Sequence, residues 1–204
     1  YFSFGLMFCA LGLNLFSREG IVWVTTNPDY IEALYVIPFV TYAIFFSMMR
    51  ECCMIGLQIM KKTKIISYVI VGITILNFFL NMLLVPSMGM YGAALSTMIV
   101  QVISWLACYI FAQQYYPIPY ELSKVGKVLV VGTILYLIGI LFNETAIGIS
   151  ILVKLVILGG YPFLLYKWHF YDKDEWNNLK GAWKKWSDLR RLKENVKNVK
   201  YRES

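Results

Sequence analysis

Hydrophobic positions run along this chain in six long stretches broken by short polar ones. The apolar runs cover about Tyr1–Phe16, Tyr30–Met60, Ile65–Val85, Tyr91–Ala112, Val125–Phe142 and Ala146–Tyr166. A helix needs roughly 20 mainly apolar residues to cross a bilayer, so each run predicts one membrane-spanning helix. The second run is long enough to tilt or to extend into the interface. Pro38 lies inside it and predicts a kink there. The chain starts at Tyr1 within an apolar run, with no methionine and no signal-peptide pattern, and is expected to be a fragment of a longer protein.

The loops give the runs a direction. "KKTK" at Lys61–Lys64 lies between runs two and three, and Lys124 and Lys127 lie between runs four and five. A basic tail follows run six. The opposite loops are poor in Lys and Arg: "VPSMGM" carries no charge, "NETA" carries only Glu144, and "SREGIVWVTTNPDY" balances Arg18 with Glu19 and Asp29. Positive loops stay in the cytoplasm. The expectation is an all-α bundle that spans the cytoplasmic (inner) membrane about six times and ends inside. Tyr30, Tyr91, Tyr115, Tyr116 and Trp168 fall at the predicted interfaces, where amphipathic rings settle.

Two parts are expected, transmembrane helices over 1–167 and a basic cytoplasmic tail over 168–204. In the tail, Trp176, Leu179, Trp183, Trp186, Leu189 and Leu192 recur three and four apart, with Lys180, Lys184, Lys185, Arg190, Arg191 and Lys193 between them. That spacing predicts an amphipathic helix that lies on anionic lipid through Trp176, Trp183 and Trp186, with Lys184 and Lys185 toward the headgroups. Packing against the protein's own cytoplasmic loops is the alternative. Residues 195–204 have too little apolar content to order themselves.

Composition agrees with the pattern. The 204 residues are 59% hydrophobic and 15% charged, against about a quarter charged in soluble domains. The formal charge is +7, and eleven of the nineteen Lys and Arg lie in 167–204. Beside a membrane, that excess suits lipid headgroups rather than nucleic acid. The four cysteines, Cys9, Cys52, Cys53 and Cys108, lack zinc or redox spacing and read as small packing residues. There is no phosphate loop and no nucleophile paired with a base. The lone histidine, His169, sits at the membrane edge, so no enzyme is expected and no cofactor or metal.

The informative residues are polar ones inside apolar runs. Thr74, Asn77 and Asn81 share one helical face. Thr97, Gln101, Ser104 and Cys108 share another, extended by Ala93. Ser47, Glu51 and Gln58 fall in one sector of run two, with Arg50 about 100° away from Glu51. A charge at the bilayer centre costs roughly 2.5–3.5 kcal/mol even on mild scales, so these faces turn inward. Asn77 and Asn81 either bond a neighbouring helix or line a cavity. Arg50 either pairs with a carboxylate on another helix or meets an anion in a central cavity, with Glu51 as a second ionic contact or a protonatable site. Lys154 is a further intramembrane charge, in a pair of runs that otherwise look lipid-facing. Gly92 with Ser96, and Ala93 with Thr97, are small residues four apart, which predicts close helix packing. Pro86 and Gly89 predict a tight turn before them.

The segment "NFFLNMLLVPSMGMYGAALSTMIVQVISW" resembles a hallmark of the polysaccharide flippases in the multidrug/oligosaccharidyl-lipid/polysaccharide exporter superfamily. There an Asn-bearing helix runs into Pro, a Gly-x-x-Gly-Ala-Ala step and a second helix. "NPDYIEALYVIPFVTYAIFFSMM" and "KKTKIISYVIVGITILNFFLN" are similar to the segments before it. The resemblance covers about Gly20 to Gln113. It implies the C-terminal part of a two-lobe exporter fold of about fourteen helices, with the N-terminal lobe missing here. It also implies alternating-access transport of an undecaprenyl-pyrophosphate-linked glycan. Arg50, Glu51, Asn77, Asn81 and Gln101 become candidate cavity residues. A cation-coupled multidrug exporter of the same superfamily, or a membrane glycosyl- or acyltransferase, are the alternatives.

Overall fold

The computed structural model describes residues 2–24, 28–115, 121–143 and 147–168. These are all-α. Helix α1 runs Phe2–Val24, a 3-10 helix runs Pro28–Tyr35, and α2 (Ile37–Ile59), α3 (Thr63–Tyr115), α4 (Leu122–Ile140) and α5 (Ile147–Lys167) follow. All five α-helices are long and apolar enough to cross a membrane. The predicted amphipathic tail, with Trp176, Trp183, Trp186, Lys184 and Lys185, lies outside the described residues.

The chain divides into two compact units, residues 1–161 and 162–204. The described part of the second is the end of α5 and Trp168, whose N–H donates to the Leu164 carbonyl at 3.0 Å. The first unit holds everything else discussed below.

Helix α3 corresponds to two of the six predicted spans. Its 53 residues would measure roughly 80 Å if straight, far beyond a hydrocarbon core of about 30 Å. Gly89 breaks it, with φ 56° and ψ −130°. A side chain is strained in that region, and glycine is not. The limbs on either side, 63–88 and 90–115, run antiparallel. A Cβ placed on Gly92 would collide with the Leu84 carbonyl oxygen, so the absence of a side chain is what lets the limbs meet. Gly92 and Ser96 are buried, whereas Ala93 and Thr97 on the adjoining strip are half-buried.

Two boundaries differ from the sequence-based expectation. α1 continues through Ser17, Arg18 and Glu19 to Val24 instead of stopping near Phe16. The apolar "IVWV" beyond the charges carries it on, because charged side chains do not themselves end a helix. Nor does Pro38 kink the interior of a helix. It lies in the first turn of α2, where no helical partner is needed for a backbone N–H and the fixed φ suits the start.

α2 packs most extensively on α3, and α1 packs on α4 and α2. Cys53, Met54 and Leu57 of α2 meet Val69 of the first α3 limb and Cys108 and Ala112 of the second. Trp105 and Tyr109 close the edge of this core. Between hydrocarbon tails the hydrophobic effect does not favour helix association, so close packing and interhelical hydrogen bonds hold the assembly. The outward faces are apolar too: Phe78, Phe79, Met82 and Leu83 are all more than 60% exposed. Lipid tails suit such a face and water does not.

Helix directions follow from the contacts. Met7 meets Gly132 and Leu15 meets Gly139, so α1 and α4 run parallel. Phe4 stacks on Tyr161, with ring centroids 5.3 Å apart, while Glu19 bonds Lys154, so α5 runs antiparallel to α1. α4 and α5 therefore run in opposite directions, as do the two limbs of α3, in keeping with a chain that crosses a membrane back and forth.

Candidate functional site

Arg50 sits in the middle of α2, 19% exposed, against the second limb of α3. Its Nη1 donates to Gln101 Oε1 and to Ser104 Oγ, both at 3.2 Å. Its Nη2 donates to Glu51 Oε1 at 2.7 Å and to Ser47 Oγ at 3.4 Å. Nε is buried and has no partner. The helical periodicity places these groups. Ser47 and Arg50 are three apart on α2, and Gln101 and Ser104 are three apart on the facing helix, so each pair rises on one side.

The cluster thus unites three of the five predicted cavity residues, Arg50, Glu51 and Gln101. Arg50 pairs with the carboxylate of its own chain neighbour on α2, and not with one on another helix. The roughly 100° between their α-carbons is spanned because both side chains are long. Glu51 is 53% exposed, so the pair has a closed side toward Gln101 and Ser104 and an open side at the carboxylate. Gln58, expected in the same sector, is exposed and outside the cluster.

Asn77 and Asn81 are elsewhere, one helical turn apart on the first limb of α3. Asn81 Nδ2 donates to Asn77 Oδ1. Ser96 Oγ donates to Asn81 Oδ1 at 2.6 Å, which bridges the two limbs. This fills the interhelical role left open for the pair. Thr97 Oγ1 turns back to the Ala93 carbonyl at 2.8 Å, which satisfies its hydroxyl within its own helix.

A second ionic group lies between α1 and α5. Lys154, fully buried, donates to Glu19 Oε1 at 2.6 Å, and Ser150 Oγ donates to the same oxygen at 3.0 Å. Glu19 Oε2 is buried without a partner. The run containing Lys154 looked lipid-facing, but Ser150, Lys154 and Tyr161 are all buried. Their spacing of four and seven marks one inward stripe, a signal that the overall hydrophobicity of the run hides. No cysteine is in a disulfide; Cys53 and Cys108 are buried packing residues.

Fold and site define a class: a multi-pass helical membrane protein with ionic groups held between its helices. No family model, curated protein or solved structure matches the chain.

Proposed function

We propose that the chain is part of a flippase that moves a lipid-linked oligosaccharide across the cytoplasmic membrane by alternating access. The observation that carries the reading is Arg50: a guanidinium kept inside apolar helices at a known desolvation cost, with its counter-ion on the open side. The resemblance of the Asn77–Trp105 segment to polysaccharide flippases supplies the substrate class. The loop charges supply the orientation, with Lys61–Lys64 and the tail in the cytoplasm and Pro86–Gly89 outside.

In this reading the substrate is an undecaprenyl-pyrophosphate-linked glycan. Its pyrophosphate takes the place of the Glu51 carboxylate on Nη2, since a guanidinium offers paired donors to either anion. Gln101 and Ser104 keep Nη1 fixed during the exchange. Release on the far side restores the Arg50–Glu51 pair. The chain works with an N-terminal lobe that closes the cavity, and it carries out transport without covalent chemistry.

The test is export of surface glycan in cells that lack the gene and carry each variant, beside membrane abundance. Arg50→Ala is expected to abolish export at normal abundance, and Arg50→Lys to retain part of it. Full export by the alanine variant removes Arg50 from the substrate path. Joint loss of export and abundance assigns it a structural role instead.

A further inference from the structure

A separate cavity of about 610 Å³ lies where α1, the 3-10 helix and the end of α4 converge, within the roughly 300–1,000 Å³ of small-molecule sites. Its polar lining comprises Asn14, Ser17 and Arg18 of α1, Tyr35 of the 3-10 helix, Tyr136 of α4 and Asn143 in the turn after it. Asn14, Ser17 and Arg18 share a helical face, being three and four apart. None of these belongs to the Arg50 cluster.

Two of these groups lack what they need. Asn14 is 6% exposed, and its Oδ1 is buried with no hydrogen-bond partner. A buried acceptor left unmatched is costly, and turning the amide toward the cavity would let a ligand donor satisfy it. Its amide turns about a soft torsion, so either edge can meet a ligand. Arg18 has no ion-pair partner among the described residues. The adjacent carboxylate, Glu19, is already held by Lys154 and Ser150. Arg18, Glu19 and Lys154 together leave one positive charge at the cavity. Ser17 Oγ is committed to the Asn14 carbonyl at 2.8 Å, so it can accept but not donate freely.

The missing partners specify a ligand. It carries an anion for Arg18, a hydroxyl donor for Asn14, and a body that suits two phenol rings. We propose that the cavity binds a hydroxylated carboxylate of the uronic-acid type. A carboxylate takes the guanidinium fork in paired geometry, and sugar hydroxyls serve as both donors and acceptors for the amides. Tyr35, 66% exposed, stands at the open side, and Tyr136 is half-buried. A phenol ring supplies an apolar face for sugar C–H groups and a hydroxyl for a sugar's polar edge. The site rests on its own geometry and not on the transport reading, and binding is measured without export.

The test uses the full chain in nanodiscs of zwitterionic lipid, with saturation-transfer NMR titrations of glucuronate and glucose, and with inorganic phosphate titrated as a competitor of the glucuronate signal. Glucuronate is expected to saturate and to bind more tightly than either control. Arg18→Gln should weaken glucuronate by about tenfold or more, the loss of one charged, paired contact, with Arg18→Lys in between. Asn143→Ala, in a turn rather than a packed helix, should weaken it without changing the melting temperature. Three results overturn the proposal. These are no saturable glucuronate binding, glucuronate binding indifferent to Arg18→Gln and Asn143→Ala, and phosphate binding as tight as glucuronate, which would leave a plain anion site.

Discussion

Lys154→Met removes one half of the ion pair that joins α5 to α1. The structure sets the size of the effect. Lys154 is 0% exposed and Glu19 14%, their contact is 2.6 Å, and Glu19 Oε2 already lacks a partner. Without Lys154, the Glu19 carboxylate keeps the Ser150 hydroxyl and a backbone hydrogen bond but no counter-charge, so its charge stays buried and unpaired. Losing one partner of a buried pair costs about 3–5 kcal/mol. The lower end applies, because Glu19 retains some access and can take up a proton. For a chain of this length, 3 kcal/mol lowers the melting temperature by about 6–12 °C. Glu19→Gln should cost a similar amount, since it strands the buried ammonium. The double variant Glu19→Gln/Lys154→Met should be less harmed than the sum of the two, because no charge is then left unpaired. Intrinsic tryptophan fluorescence melts of the four proteins in one detergent complete the cycle. Strict additivity, or singles that melt with the wild type, would show that the pair does not couple the helices and would refute the argument.

Other outcomes follow from the same structure. Gly92→Leu should abolish normal membrane abundance, because the added side chain meets the Leu84 carbonyl across the α3 hairpin; immunoblots of membranes check it. Gly89→Ala should cost about 1–3 kcal/mol in the same melting assay, since φ 56° with ψ −130° strains any residue with a Cβ. A cysteine placed at Ser87, in a cysteine-free background, should be labelled on intact cells, and one placed at Lys64 only after permeabilisation; the reverse order would invert the proposed orientation. A peptide spanning 172–195 should become helical on anionic vesicles and detach in high salt, and a peptide that stays unfolded there leaves docking on the protein's own loops.

The α3 hairpin was legible in the sequence because its cause is local. Pro86 and Gly89 mark a turn within a few residues, and Gly92 and Ser96 advertise a close contact by what they lack. Arg50 was legible as an inward charge for the same reason, and so was the Gln101–Ser104 stripe that receives it. Its partner was not, because helical angles describe α-carbons and not the reach of long side chains. The end of α1 was misjudged since Arg18 and Glu19 resemble loop residues wherever their partners are unknown. Glu19's partner lies 135 positions away, at a separation no spacing rule covers. The same gap hid the cavity beside it: Asn14, Ser17 and Arg18 share a face in sequence, but only the fold brings Tyr35, Tyr136 and Asn143 to them.

The two ionic groups then call for different accounts. Glu19–Lys154 is enclosed, and an incoming ion would have to displace a fully buried ammonium. Such a pair fixes which face of α5 meets α1, because any rotation of α5 strands both charges in hydrocarbon. Arg50–Glu51 is fixed at the guanidinium and open at the carboxylate, which is 53% exposed. Exchange there removes one contact on Nη2 and leaves Gln101 and Ser104 in place on Nη1. The proposed transport would use that asymmetry: a cation rigid enough to keep its geometry and a counter-ion loose enough to move aside. Asn77, Asn81 and Ser96 contrast with both, since their hydrogen bonds are made to each other: Asn81 to Asn77 within the first limb and Ser96 to Asn81 across the hairpin.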